Sequence, residues 1–129
     1  PIILAVTNKE LRDQLSEENR KIMGAPERMD SFYGAPVILV VLANKAVPTH
    51  VYDGSLVMGN LMNAAYAVGV DSCWIHRARE VFDSEEGKEL KKQWGVPEEY
   101  IGVGHCVLGY RDCEYPTAKP RKDGFVIRG

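Results

Sequence analysis

A chain of 129 residues, 45% hydrophobic and 26% charged, can build one domain around its own core and is too apolar to stay disordered. Its 16 Lys and Arg against 18 Asp and Glu leave a net charge of -2, without the basic excess that holds nucleic acid or an anionic membrane. The longest apolar run, Pro36 to Ala43, is far shorter than the roughly 20 residues that span a bilayer.

The chain opens Pro1-Ile2-Ile3-Leu4, already inside an apolar run, so further sequence is expected upstream. Ile2 to Val6 reads as a short buried strand. Thr7 with Glu10 makes a capping box, and Leu11, Leu15 and Ile22 share one face of the helix it would open. Gly24-Ala25-Pro26 stops that helix. Ala25 to Ala35 reads as a loop. Pro36 to Ala43 (PVILVVLA) is continuous and β-branched, as in a strand covered on both faces. Asp53 is placed to cap a long helix to about Val68, with a stripe of Leu56, Val57, Asn60, Leu61, Ala64, Ala65 and Val68. Gly69 suits the left-handed position that follows.

Val70 to His76 (VDSCWIH) reads as a strand. Asp83 with Glu86 forms a second capping box, for a helix running to Trp94 and closed by Gly95 and Pro97. Tyr100 to Tyr110 alternates like a strand with glycines in it. The tail from Tyr115 to Gly129 is expected to be extended, with a turn at Asp123-Gly124 and a last strand from Phe125 to Ile127. Strands and helices intermingle through what reads as a single domain over residues 1–129, of α/β or α+β class.

Few residues advertise chemistry. Gly102, Gly104 and Gly109 lack the spacing of a dinucleotide loop and lie within a strand, where glycine lets a neighbour approach. Cys73 and His76 have the spacing of two metal ligands, but no second pair follows. Cys73, Cys106 and Cys113 make no disulfide framework, so reduced thiols and a cytoplasmic location are expected. His50, His76 and His105 read as structural or surface residues. In the tail, Pro120 enforces extension, and Lys119 and Arg121 then point the same way. Two such cations suit either a phosphate clamp or a solvated basic tail.

Four stretches in order resemble the nitroreductase family of flavin enzymes. They are Tyr33–Ala43 (YGAPVILVVLA), Tyr52–Val70, Asp71–Phe82 (DSCWIHRAREVF) joined to EEGKELKKQWGVPEEY, and GVGHCVLGY with AKPRK. The family's Arg-rich opening and its polar N-x-Q-P-W-like loop, which grip the flavin, have no counterpart here. The resemblance therefore implies the C-terminal part of such a protein, with about a quarter of the fold lying upstream.

It implies an α+β fold, an α/β/α sandwich with a central, mostly antiparallel sheet. It also implies a homodimer built around the long central helix, with the C-terminal strand reaching over the partner. One FMN would sit in each interface cleft. NAD(P)H would reduce it, and a nitroaromatic, quinone or similar small acceptor would reoxidise it, without a dedicated catalytic side chain and without metal. Residue by residue, the cofactor-binding positions implied are Trp74, Ile75, His76 and Arg77 at a strand end, and Lys119 and Arg121 in the tail. The backbone N–H of Arg77 matches the one that donates toward flavin N5 or O4. Many relatives have Gly at that place. The Arg77 side chain could stabilise charge on reduced flavin or point to solvent, and Trp74 could equally be a core aromatic. The resemblance favours the clamp over the solvated tail. Asp53 and Asn60 match polar positions of the dimer helix, as a cap and a buried hydrogen-bonding residue. A relative with other flavin chemistry, or a non-catalytic flavin-binding or dimerising module, are the alternatives.

Overall fold

The computed structural model describes all of residues 1–129. Its elements run β1 (Ile2–Val6), α1 (Lys9–Met23), β2 (Val37–Asn44), α2 (His50–Ala67), β3 (Asp71–Ile75), α3 (Ala78–Asp83), α4 (Glu85–Gln93) and β4 (Tyr100–Gly109). The strands form one sheet in the order β1-β2-β4-β3, and every pair is antiparallel. Helices cover both faces, so the α/β/α sandwich expected from the resemblance is the architecture found.

The period-two pleat of β2 divides the core. Ile38, Val40 and Leu42 point to one face, all fully buried, and meet Leu15 of α1, Val81 and Phe82 of α3 and Leu90 of α4. Val41, on the other face, joins Met58 of α2 and Cys106 of β4. Burial on both sides is why this strand reads as an unbroken apolar run. Opposite Val41 and Leu42 the register slips, because Val103 bulges out of β4 between Gly104 and Gly102.

Several boundaries differ from the sequence reading. Asn8, one residue beyond Thr7, caps α1 by accepting from the Leu11 N–H at 3.0 Å. Ser84, not Asp83, caps α4 by accepting from Gly87 N–H at 3.1 Å. Asp83 instead closes α3, a short helix the sequence reading missed, and binds Arg79 at 2.6 Å. α2 starts at His50 rather than at Asp53. Asp53 lies in its first turn and accepts from the Thr49 hydroxyl at 2.8 Å. Its sheet-facing residues are Gly54, Met58 and Ala65, whereas Leu56 and Val68 of the expected stripe are 69% and 76% exposed. Asn60 lies on the surface of α2 in the single chain.

Two charged networks fasten the connections. Arg12 reaches from α1 to the Ala35 carbonyl and to Asp30, and Asp30 also accepts from Ser16 and from the N–H groups of Phe32 and Gly34. These donors pull the Asp30 carboxyl down to about 2, against the burial that works the other way. Lys91 is almost fully buried and donates to the carbonyls of Glu98 and Tyr100, tying α4 to the start of β4.

After β4 the chain leaves its own body. Arg111 still binds Asp71, but every residue from Tyr110 to Gly129 is exposed. The turn at Asp123-Gly124 forms, with Gly124 at φ +70° and Phe125 N–H on the Lys122 carbonyl. The strand expected over Phe125–Ile127 does not form, because this chain sets no strand beside it.

Candidate functional site: the end of strand β3

β3 is an edge strand paired with β4, with Ile75 opposite His105. Alternation sends Ile75 into the core on the α1, α3 and α4 side and Trp74 toward the α2 side. There the Trp74 indole lies against Gly104, so close that a Cβ on that glycine would stand 2.7 Å from Nε1. Trp74 thus has the core position allowed for it in the sequence.

Past Ile75 the chain turns sharply into α3. His76 is exposed and Arg77 is half-buried. Arg77 takes φ +77° and ψ 13°, the left-handed region that suits glycine and strains a residue with a Cβ. Gly102 of β4 holds this turn in place, since a Cβ there would stand 2.0 Å from the Ala78 carbonyl oxygen. The glycines of β4 therefore let neighbours approach, as their position in a strand suggests. Neither the His76 nor the Arg77 backbone N–H has a hydrogen-bond partner in the chain. The strand end thus leaves two backbone donors free.

Behind it lies His105, fully buried between Phe32, with ring centroids 5.1 Å apart, and Phe82, at 6.1 Å. Neither ring nitrogen has a partner at hydrogen-bonding geometry. Burial lowers its pKa from 6.5 to about 4, while the backbone of Ile75 and His76 works in the opposite direction. His105 is a neutral core residue at neutral pH.

Lys119 and Arg121 are exposed on the tail, where the Arg121 guanidinium lies 4.8 Å from the Phe125 ring centroid. Neither Lys119 nor Arg121 makes an ion pair in the chain. Three surface grooves of about 660, 540 and 670 Å³ lie elsewhere. They are lined respectively by α1 with the loop after it, by α4, and by Tyr33, Cys73 and Tyr110 at the far end of β3 and β4. All three cysteines are free, and no cluster of three His, Cys, Asp or Glu could hold a metal ion. No helix is long and apolar enough to cross a membrane.

The sequence pointed to the segment Trp74–Arg77 through resemblance alone. What it missed is the backbone conformation at Arg77 and the role of Gly102 in clamping it. Glycine in many relatives at the place of Arg77 was the available signal for a positive φ.

The family profile of the nitroreductases matches residues 2–110, and the chain belongs to the nitroreductase family. A nitroreductase with bound FMN from Bacteroides fragilis is 24% identical, with TM-score 0.81, and the match covers 98% of this chain and 74% of that one. An FMN-dependent nitroreductase from Clostridium difficile is 25% identical, with TM-score 0.69, covering 97% of this chain and 69% of that one. Nitroreductase CinD from Lactococcus lactis, in complex with 4-nitrophenol, is 17% identical, with TM-score 0.73, covering 99% and 76%. No curated protein matches the chain.

Proposed function

We propose that this chain, as one domain, serves an FMN-dependent oxidoreductase that passes electrons from NAD(P)H to a nitroaromatic, quinone or similar small acceptor. The observation that carries the reading is the end of β3, where the backbone N–H groups of His76 and Arg77 have no partner in the chain. Membership of the nitroreductase family supports it, as do the FMN-bound nitroreductase from Bacteroides fragilis and the FMN-dependent one from Clostridium difficile, which share the fold.

The residues present suit such a cofactor. An isoalloxazine edge is rich in acceptors, and the strand end offers two free backbone donors. FMN also carries a phosphate, and Lys119 and Arg121 are cations with no carboxylate partner in the chain. When bound, FMN supplies the hydride and electron chemistry. The Arg77 N–H would hold the ring edge, His76 would contribute the neighbouring backbone donor, and Trp74 and Ile75 would brace the strand that carries both. Arg121 would grip the phosphate through its fork, with Lys119 beside it.

The site is completed, on this reading, by a second copy of the chain in a homodimer. α2 presents Tyr52, Leu56 and Tyr66 outward, each about 70% exposed, on the face opposite the sheet. The tail, with Phe125, Val126 and Ile127 exposed, would reach across the partner. A cytoplasmic location accords with the free thiols.

The test is a binding comparison between FMN and riboflavin, which lacks the phosphate, on the full-length protein. Arg121→Ala removes a charge-assisted contact and should weaken FMN roughly 10- to 150-fold. Lys119→Ala should cost less, since an ammonium makes no fork. Riboflavin should bind the variants as well as it binds the parent. Equal losses for both ligands would make the tail structural, and a parent that binds no flavin would end the proposal.

A further inference from the structure

His105 is a histidine where packing alone calls for a hydrophobe. Its ring is fully buried between Phe32 and Phe82, and neither nitrogen has a hydrogen-bond partner. A buried polar group left unpaired destabilises a fold, and a leucine of similar size would not.

The ring stands directly behind the end of β3. His105 is opposite Ile75 in the last pair of the β3–β4 ladder. The backbones of Ile75 and His76 raise its affinity for a proton, as acceptors do, so their carbonyls are the groups that face it. Ile75 belongs to the ladder, whereas the His76 carbonyl accepts no backbone hydrogen bond. An unpaired ring donor thus lies beside an unpaired backbone acceptor. That carbonyl and the Arg77 N–H belong to one trans peptide unit, in which they point in opposite directions. A carbonyl held toward His105 therefore turns the Arg77 N–H away from it.

We propose that His105 is a positioning residue, whose ring N–H donates to the His76 carbonyl and so aims the Arg77 N–H at the flavin edge. This role rests on the flavin reading of the β3 end. The second torsion of a histidine side chain is broad, so the ring turns to close the bond while the strand stays in place. The bond strengthens when an acceptor takes the Arg77 N–H, because that contact polarises the peptide and makes its carbonyl a better acceptor.

The experiment uses the full-length protein at pH 7. Dissociation constants for FMN and riboflavin are read from flavin fluorescence. His105→Leu should weaken both ligands by the same factor, roughly 2- to 12-fold, the range for one neutral hydrogen bond. The equal loss separates this contact at the ring edge from a phosphate contact. His105→Asn or His105→Gln, whose amides reach about as far as Nδ1 and Nε2 respectively, should restore affinity in at least one case, since either keeps an N–H donor. A spectroscopic readout follows the peptide itself. With labels in the histidine carbonyls and the arginine amides, His76–Arg77 is the single His-to-Arg peptide of residues 1–129. In the FMN-loaded parent its carbonyl carbon and amide nitrogen resonances should lie downfield of those in loaded His105→Leu, and the restoring variant should return them. Unchanged resonances or unchanged affinity in His105→Leu overturns this role alone. So does a loss that neither amide variant restores, which would make His105 a packing residue only. A parent that binds no flavin overturns the flavin reading and this role with it.

Discussion

Burial of His105 should make folding stability depend on pH in a window where few other groups titrate. The unfolded ring has the ordinary value of 6.5, whereas the folded ring is held at about 4. The folded value is depressed, so the contribution is fully present above about pH 6.5 and is lost as pH falls toward 4. Over that interval the unfolded state takes up the proton first. The loss amounts to about 2 kcal/mol at pH 5 and about 3 kcal/mol at pH 4, a large part of a typical domain's stability. The perturbation that isolates it is His105→Leu, which keeps an apolar side chain of similar size between Phe32 and Phe82. That variant also removes two buried nitrogens that have no partner, so it should be no less stable than the parent at pH 7. Urea unfolding of both proteins at fixed concentration, from pH 7.5 to pH 4, gives the difference directly. Carboxylate titrations common to the two proteins cancel. The variant should gain on the parent by about 2 kcal/mol between pH 7 and pH 5. A difference that stays constant with pH would refute a buried, neutral His105.

Three further outcomes are expected. Gly102→Ala places a Cβ 2.0 Å from the Ala78 oxygen, so backbone must move. A cost of roughly 1–3 kcal/mol in urea unfolding is expected, and an unchanged midpoint would refute the close approach. Asp30, lowered to about 2, contributes stability that is full above its ordinary value of 3.8 and lost as pH falls through about 2. Asp30→Asn should therefore flatten the acid limb of the unfolding curve below about pH 4, and a limb identical to the parent's would count against the Arg12 network. Ala64, exposed on the outer side of α2, lies on the proposed dimer face. Ala64→Arg should give monomer or aggregate in light scattering, and an unchanged dimer mass would move the interface elsewhere.

Wherever a residue's neighbours in the chain settle its structure, the sequence by itself was sufficient. The β-branched run of β2, the glycine stops after α1, α2 and α4, and the turn at Asp123-Gly124 are local in this sense, since one side-chain pattern or one left-handed glycine decides each. The caps of α1 and α4 were legible to within one residue, because Thr7 and Asn8, or Asp83 and Ser84, are chemically interchangeable acceptors until the incoming strand or helix fixes the start, whereas the cap of α2 was placed four residues late, at Asp53 instead of Thr49. The resemblance carried the sheet with helices on both faces and pointed to the end of β3.

Tertiary structure alone decided what depends on residues far apart in sequence. Gly102 reads as an ordinary strand glycine until β4 is laid beside the β3–α3 turn, and only then does its missing Cβ account for the fixed conformation of Arg77. His105 reads as a surface or structural histidine, and its burial between Phe32 and Phe82 comes from elements separated by tens of residues. Phe125–Ile127 has the composition of a strand but no neighbour in the chain to pair with, and a strand exists only where a second strand accepts its hydrogen bonds.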